Sequence, residues 1–303
     1  MRRFITTMTC GFLFVLFLCS LPIAIAENAK PNILFILADD VGYEGLNCYG
    51  GESYPTPQLD ALASDGIQAM HCYSMPVCHP TRISLLTGCY PKDIGSPKWG
   101  SFPKSFEKKT IANALKSSGY TTAVAGKWQL TLLKDDPEQP FRLGFDDFCV
   151  FGWHEGPRYH DPMIYENGTV KSGTKGKFGP DLYREFLEGH MVNAQKKNKP
   201  FFAFYSMALC HDVTDDLKNP VPVSPSGKYL DYREMVVEMD RQVGLLVDFL
   251  KKGQIGWGST EFIVLCGREK IYNPFVVNIS NMTNNLWATS YSYSSIYFFI
   301  FFL

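Results

Sequence analysis

The chain has 303 residues, 46% of them hydrophobic and 15% aromatic, which is enough apolar material for one large buried core and excludes a disordered protein. Its 29 basic and 30 acidic side chains give a formal net charge of -1 and are spread along most of the sequence. That balance leaves no electrostatic footprint for nucleic acid, so an acidic substrate needs a local basic pocket.

The first element in chain order is a leader. Arg2 and Arg3 precede an apolar run over 11–25, and Ala24-Ile25-Ala26 offers small residues for cleavage before Glu27. Residues 1–26 therefore read as a signal peptide, and the run is short for a bilayer span. The expectation is an exported protein, periplasmic, extracellular or lysosomal according to its source, with no membrane span in the mature chain. Of the nine cysteines, Cys10 and Cys19 leave with the leader; the others enter an oxidising compartment, where disulfides form with a connectivity that sequence does not reveal. The chain contains no C-x-x-C pair and no H-x-x-x-H spacing, which argues against a zinc site built on local motifs.

After Pro31, residues 33–38 are continuously apolar and end in Asp39-Asp40, the pattern of a buried parallel strand delivering polar groups at its C-terminal edge. Such edges are where α/β folds build sites. A short helix over 57–63 is opened by Thr56, and another over 111–117 by Thr110. Each is followed by glycine and a strand-like stretch, 68–73 and 121–125. The alternation resumes with helix 181–196, strand 201–208, helix 231–251 and strand 261–265, which predicts an α/β fold with a mainly parallel central sheet flanked by helices. In the long helix Val236, Met239, Val243, Leu246 and Leu250 keep a three-to-four residue spacing and read as core packing. Asp240 reads as a polar residue beside that stripe. His154, Arg158 and His160 lie in an aromatic loop placed to meet substrate, and read first as ordinary loop packing.

From 271 to 303 the character changes: no charged side chain occurs, and Asn, Ser, Thr, Tyr and Phe dominate. This predicts a break in the reading, by frameshift, retained intron or misjoined gene, near 260–269. The expected division is a leader over 1–26, an α/β domain over 27–270 and an uncharged tail over 271–303. Asn167-Gly168-Thr169, Asn278-Ile279-Ser280 and Asn281-Met282-Thr283 match the glycosylation acceptor pattern, which matters only in a eukaryotic secretory route.

The most specific motif is Cys78-His79-Pro80-Thr81-Arg82, followed by Ile83-Ser84-Leu85-Leu86-Thr87-Gly88. Pro80 suits the first turn of a helix, so Cys78 is expected at a helix N-terminus, where free N–H groups and the dipole favour an anion. The motif resembles the C-x-P-x-R signature of the sulfatase family, in which that cysteine is oxidised to formylglycine. Asp39-Asp40 resembles the family's metal-binding pair, residues 55–63 its T-P-x-L-D-x-L-A segment, and Gly126-Lys127-Trp128 its G-K-W turn, all in the family's order. Residues 181–186 and 200–211 resemble it too, the latter where a strand ends in a catalytic histidine. The likeness covers 31–265 and implies an alkaline-phosphatase-like fold whose C-terminal part is missing here.

What the resemblance implies is a sulfuric ester hydrolase acting on a sulfated carbohydrate or aryl sulfate, matured by a formylglycine-generating or sulfatase-maturating enzyme. Formylglycine from Cys78 is hydrated; one hydroxyl attacks sulfur, and the second lets sulfate leave by carbon–oxygen cleavage. A divalent cation, Ca2+, bound by Asp39, Asp40 and the modified Cys78, polarises a sulfate oxygen. Arg82 holds the formylglycine end, Lys127 neutralises the sulfate, and His211 protonates or binds the leaving oxygen.

Two departures from the pattern stand out. Gln129 occupies the place where the family often has histidine, and it accepts no proton at neutral pH. The family's later Asp-Asn-Gly, which completes the metal site, is replaced after Val264 by Leu265-Cys266-Gly267-Arg268-Glu269-Lys270. Losing those oxygen ligands weakens the cation site. Two other classes follow: a catalytically silent secreted protein that holds anions at the Cys78 helix, and a phosphatase or phosphodiesterase of related architecture, a group that typically carries serine or threonine where Cys78 stands.

Overall fold

The computed structural model describes residues 30–70, 72, 74–152, 155–211, 232–253, 255, 260–267 and 275–278. The leader, His154, Arg268 to Lys270, the acceptor asparagine Asn281 and the tail apart from 275–278 lie outside the described residues.

The apolar runs form strands. They are β1 (Asn32–Asp39), β2 (Ile67–Ala69), β3 (Thr121–Lys127), β4 (Asp147–Phe151), β5 (Tyr165–Glu166), β6 (Thr169–Val170), β7 (Phe201–Ser206), β8 (Thr260–Gly267) and β9 (Phe275–Asn278). The sheet they build runs β2-β9-β8-β1-β7-β3-β4-β5-β6. Its centre, β8, β1, β7, β3 and β4, is parallel throughout, as the alternating pattern predicts. Its margins are antiparallel: β4 pairs with β5, β5 with β6, and β9 with both β8 and β2.

The helices are α1 (Pro57–Ser64), α2 (Cys78–Thr87), α3 (Ile111–Ser117), α4 (Gln139–Arg142), α5 (Gly179–Lys196) and α6 (Tyr232–Lys252). Alternation along β1 divides the core between the two faces of the sheet. Leu34, Ile36 and Ala38 pack with Leu59 of α1, Leu187 and Met191 of α5, and Val236, Met239, Val243, Leu246 and Leu250 of α6. On the opposite face Leu37 joins Ile83 and Leu86 of α2 and Ala112 of α3. The five-residue stripe of the long helix is thus core, as its spacing indicates.

Four local readings change. Of the strand-like stretch 68–73, residues 68 and 69 belong to β2, a largely exposed edge strand held by β9, and residues 71 and 73 lie outside the described residues. The stretch 201–208 leaves β-structure after Ser206, because residues 207–210 fold under the end of β1: the N–H of Met207 donates to the Leu37 carbonyl at 2.9 Å and that of Asp39 to Leu209 at 2.7 Å. Thr110 caps α3 as expected, its hydroxyl accepting from the Asn113 N–H at 3.2 Å. Thr56 does not cap α1, since its hydroxyl is engaged with Asn47 and Asp60. The free N–H groups of Gln58 and Leu59 instead donate to the carboxylate of Asp240 on α6, at 3.1 and 2.9 Å. Asp240 is therefore a long-range cap, not a bystander of the helix stripe.

Candidate active site

Parallel strands bring their C-terminal ends to one edge, and that edge collects the polar residues singled out from sequence. Asp39 ends β1 and Lys127 ends β3. Asp40 follows in the left-handed region, φ 56°. Ser206 ends β7, and His211 follows the turn beyond it. Cys78 is the first residue of α2, with Val77 as N-cap and Arg82 one turn on. A narrow cleft is lined by Asp39, Asp40, Val77, Cys78, Thr81 and Arg82 among others. The glycine before Lys127 is required: Gly126 has φ 102°, and a Cβ there would run into the carbonyl of Ser206.

The charged groups are buried and interlocked. The ammonium of Lys127 donates to Asp39 Oδ2. Arg82 Nη2 lies 3.6 Å from Asp39 Oδ1. Arg82 Nη1 donates to the Lys127 carbonyl at 3.1 Å and to the Ser206 hydroxyl, which itself donates to the same carbonyl at 2.6 Å. Burial pushes the Asp39 carboxyl up, but Lys127 and Arg82 together outweigh it and hold it below the usual carboxylate range. Burial also raises the Cys78 thiol against the opposing pull of Lys127. Unmodified Cys78 is thus a thiol at neutral pH and a weak nucleophile.

His211 Nε2 sits 3.5 Å from Asp40 Oδ2, and its Nδ1 lies 3.5 Å from Nη1 of Arg158. Burial, reinforced by the charge of Lys127, lowers the imidazole to about 3. It is neutral across the ordinary range, suited to binding an oxygen rather than to giving up a full proton. Tyr159 fixes this turn by donating from its hydroxyl to the carbonyls of Ala208, at 2.9 Å, and His211, at 2.7 Å.

All six residues picked from sequence, Asp39, Asp40, Cys78, Arg82, Lys127 and His211, meet at this edge. Three partners were missed. Arg158 is buried, lies over the Phe151 ring and turns to His211 at the same edge. Ser206 and Tyr159 carry no motif, and only the sheet order brings them in. His160, by contrast, stacks on Phe178 at 5.2 Å and is structural.

Formylglycine fits position 78: the side chain opens a ten-residue helix, lines the cleft and stands one turn from a buried arginine. For the divalent cation, the described residues fall short of a ligand set. Calcium takes six to eight oxygens, yet among the described residues no group of three or more His, Cys, Asp and Glu side chains could hold a metal. One of the two carboxylates, Asp39, is already neutralised by Lys127 and Arg82. The β8 residue in register with Asp39 is Gly267, which has no side chain to offer.

The profile of the family called Sulfatase matches residues 31–256. The chain is 32% identical over 189 residues to the N-acetylglucosamine-6-O-sulfatase of Bacteroides thetaiotaomicron, an alignment covering 61% of this chain and 31% of that protein. It is 30% identical over 258 residues to arylsulfatase A of Homo sapiens, covering 76% of this chain and 50% of that one. The crystal structure of Ps i-CgsB superposes with a TM-score of 0.65 at 27% identity, over 78% of this chain and 58% of that chain. The chain thus spans half or less of the length of these two relatives.

Proposed function

Since the chain belongs to the sulfatase family, we propose that it is a sulfuric ester hydrolase whose nucleophile is made from Cys78 and whose substrate is a sulfated carbohydrate. The carrying observation is that Cys78 begins α2 on the cleft shared with Asp39 and Arg82. Similarity to proteins named for N-acetylglucosamine-6-O-sulfate and aryl sulfate esters supports the substrate class. As formylglycine, residue 78 supplies a hydrated aldehyde oxygen as nucleophile toward sulfur. Conversion needs a formylglycine-generating or sulfatase-maturating partner, and the leader-like sequence over 1–26 supports an exported route for both. No helix among the described residues is long and apolar enough to cross a membrane.

The chain's own groups prepare the ester. Arg82, almost fully buried, presents Nε and Nη2 without hydrogen-bond partners, two donors for oxygens near residue 78. Lys127 keeps further N–H donors beyond the one given to Asp39, and these neutralise the sulfo group. The neutral His211, with Nδ1 facing Arg158, has a single N–H at Nε2, and that donor turns from Asp40 to the ester oxygen when substrate binds. The divalent cation is left out of this reading, because the described donors fall short of it.

A second reading, a silent anion-binding member of the family, is favoured by Gly267 standing beside Asp39 where a further ligand is expected. Mass spectrometry of the Cys78 peptide after co-expression with the converting enzyme, followed by assays on an aryl sulfate and an aryl phosphate, separates these readings. Aldehyde at residue 78 with turnover of the sulfate supports the hydrolase. Aldehyde with no turnover leaves the silent reading, and preferred hydrolysis of the phosphate ester overturns both.

A further inference from the structure

We propose that this chain replaces the divalent cation of its expected site with fixed side-chain charge, Lys127 and Arg82 serving as the counter-ions of Asp39, so that its cleft takes a tetrahedral oxyanion without any metal. The inference deepens the reading above and rests on its identification of the cleft as the place of the sulfo group.

Three independent observations carry it. The first is the state of Asp39. One oxygen accepts from Lys127, the other faces Arg82 at 3.6 Å, and the exposure of these side chains is 6%, 2% and 2%. A dication would have to displace an almost fully buried ammonium, leaving like charges together. The second is the shortage of ligands. In the parallel register of β1 and β8, Ala38 pairs with Cys266 and Asp39 with Gly267. Among the described residues, β8 therefore brings a bare backbone alongside Asp39.

The third observation points to the ligand. Arg82 lines the cleft, is 2% exposed, and leaves Nε and Nη2 without a hydrogen-bond partner. Buried donors of this kind are costly unless something fills them. They lie one turn from the N-terminus of a ten-residue helix, whose free N–H groups and dipole favour an anion. Among the described residues at this edge, Arg82, Lys127 and Arg158 also outnumber Asp39 and Asp40. A sulfo or phosphoryl group matches those donors in charge and in its three outward oxygens.

The test uses the full chain co-expressed with the converting enzyme and freed of metal by EDTA. Thermal unfolding is followed with calcium, magnesium or manganese, and bound metal is counted by equilibrium dialysis. The expected result is an unchanged Tm with each cation and no stoichiometric metal, together with a saturable rise in Tm on adding sulfate in EDTA. A saturable rise with any of the cations, or one metal bound per chain, overturns the proposal; so does a sulfate effect that appears only when metal is present, or no sulfate effect at all. A Gly267→Asp chain supplies the absent carboxylate and is expected to gain a calcium-dependent rise of about 5 °C at a hundredfold excess over Kd. If that variant is as indifferent to calcium as the parent, Gly267 is not the missing ligand and the register argument falls. These are binding readouts, so failure of hydrolysis alone bears on the proposed function and not on this inference.

Discussion

Lys127 and Asp39 can be buried only because each neutralises the other, with Arg82 as a second cation on the carboxylate. Removing one member of such a pair leaves a charge in a dry site. Lys127→Met is expected to destabilise the fold by roughly 3 kcal/mol in urea denaturation, and the double variant with Asp39→Asn to recover much of that. If the two single losses simply add, the pair is not the unit described. Asp240 makes a pH-dependent contribution. Burial raises its carboxyl to about 6 from an ordinary 3.8, while the N–H groups of Leu59 and Gln58 hold the rise in check. With the folded value above the unfolded one, its contribution is greatest when the carboxyl is protonated and is lost as pH rises through 6. Relative to Asp240→Asn, the native chain should therefore gain about 1 kcal/mol on going from pH 7 to pH 5. Parallel stability curves for the two chains across that window would refute the assignment.

Among the elements, β3 shows how backbone conformation serves the site. Its last residues run so close to β7 that Gly126 must lack a side chain and adopt a positive φ, and this carries Lys127 to the Asp39 carboxylate. Gly126→Ala is expected to cost on the order of 1–3 kcal/mol in backbone strain. It should also cut turnover of an aryl sulfate more than Tm alone explains, because the end of β3 has to move away from Ser206. Unchanged kinetics in a folded variant would show that the approach of β3 to β7 does not position Lys127. Element boundaries carry a similar lesson. α3 is capped within its own sequence by Thr110, whereas α1 is capped by Asp240, far away on α6.

For the molecule as a whole, β8 is the element on which the described sheet depends after residue 253. It pairs with β1 along eight consecutive positions, from Asn32 with Thr260 to Asp39 with Gly267. Without it β1, the strand that delivers Asp39, becomes an unprotected edge with its apolar faces partly uncovered. A chain ended at Gly253 is accordingly expected in the insoluble fraction, or as large aggregates in size-exclusion chromatography. A soluble monomer with a native melting transition would show that the core around β7, β3 and β4 is sufficient by itself. The uncharged character of 271–303 does not prevent residues 275–278 from joining the sheet as β9.

The parallel α/β class, the main helices and the six polar residues that gather at the sheet edge were legible in the linear chain. Apolar runs, 3.6-residue stripes and short motifs are local patterns, imposed by the periodicity of strands and helices and by the chemistry of an anion site. The antiparallel margins, the Asp240 cap, Ser206, Tyr159 and the approach of Arg158 to His211 were not, because each depends on which distant strand or loop lies next to which. The replacement of Asp-Asn-Gly was visible as letters. That it sets Gly267 beside an Asp39 already paired with Lys127 was decided by the register of β1 with β8 and the close packing of β3 on β7, since charge in a buried site is governed by neighbours in space and not by neighbours along the chain.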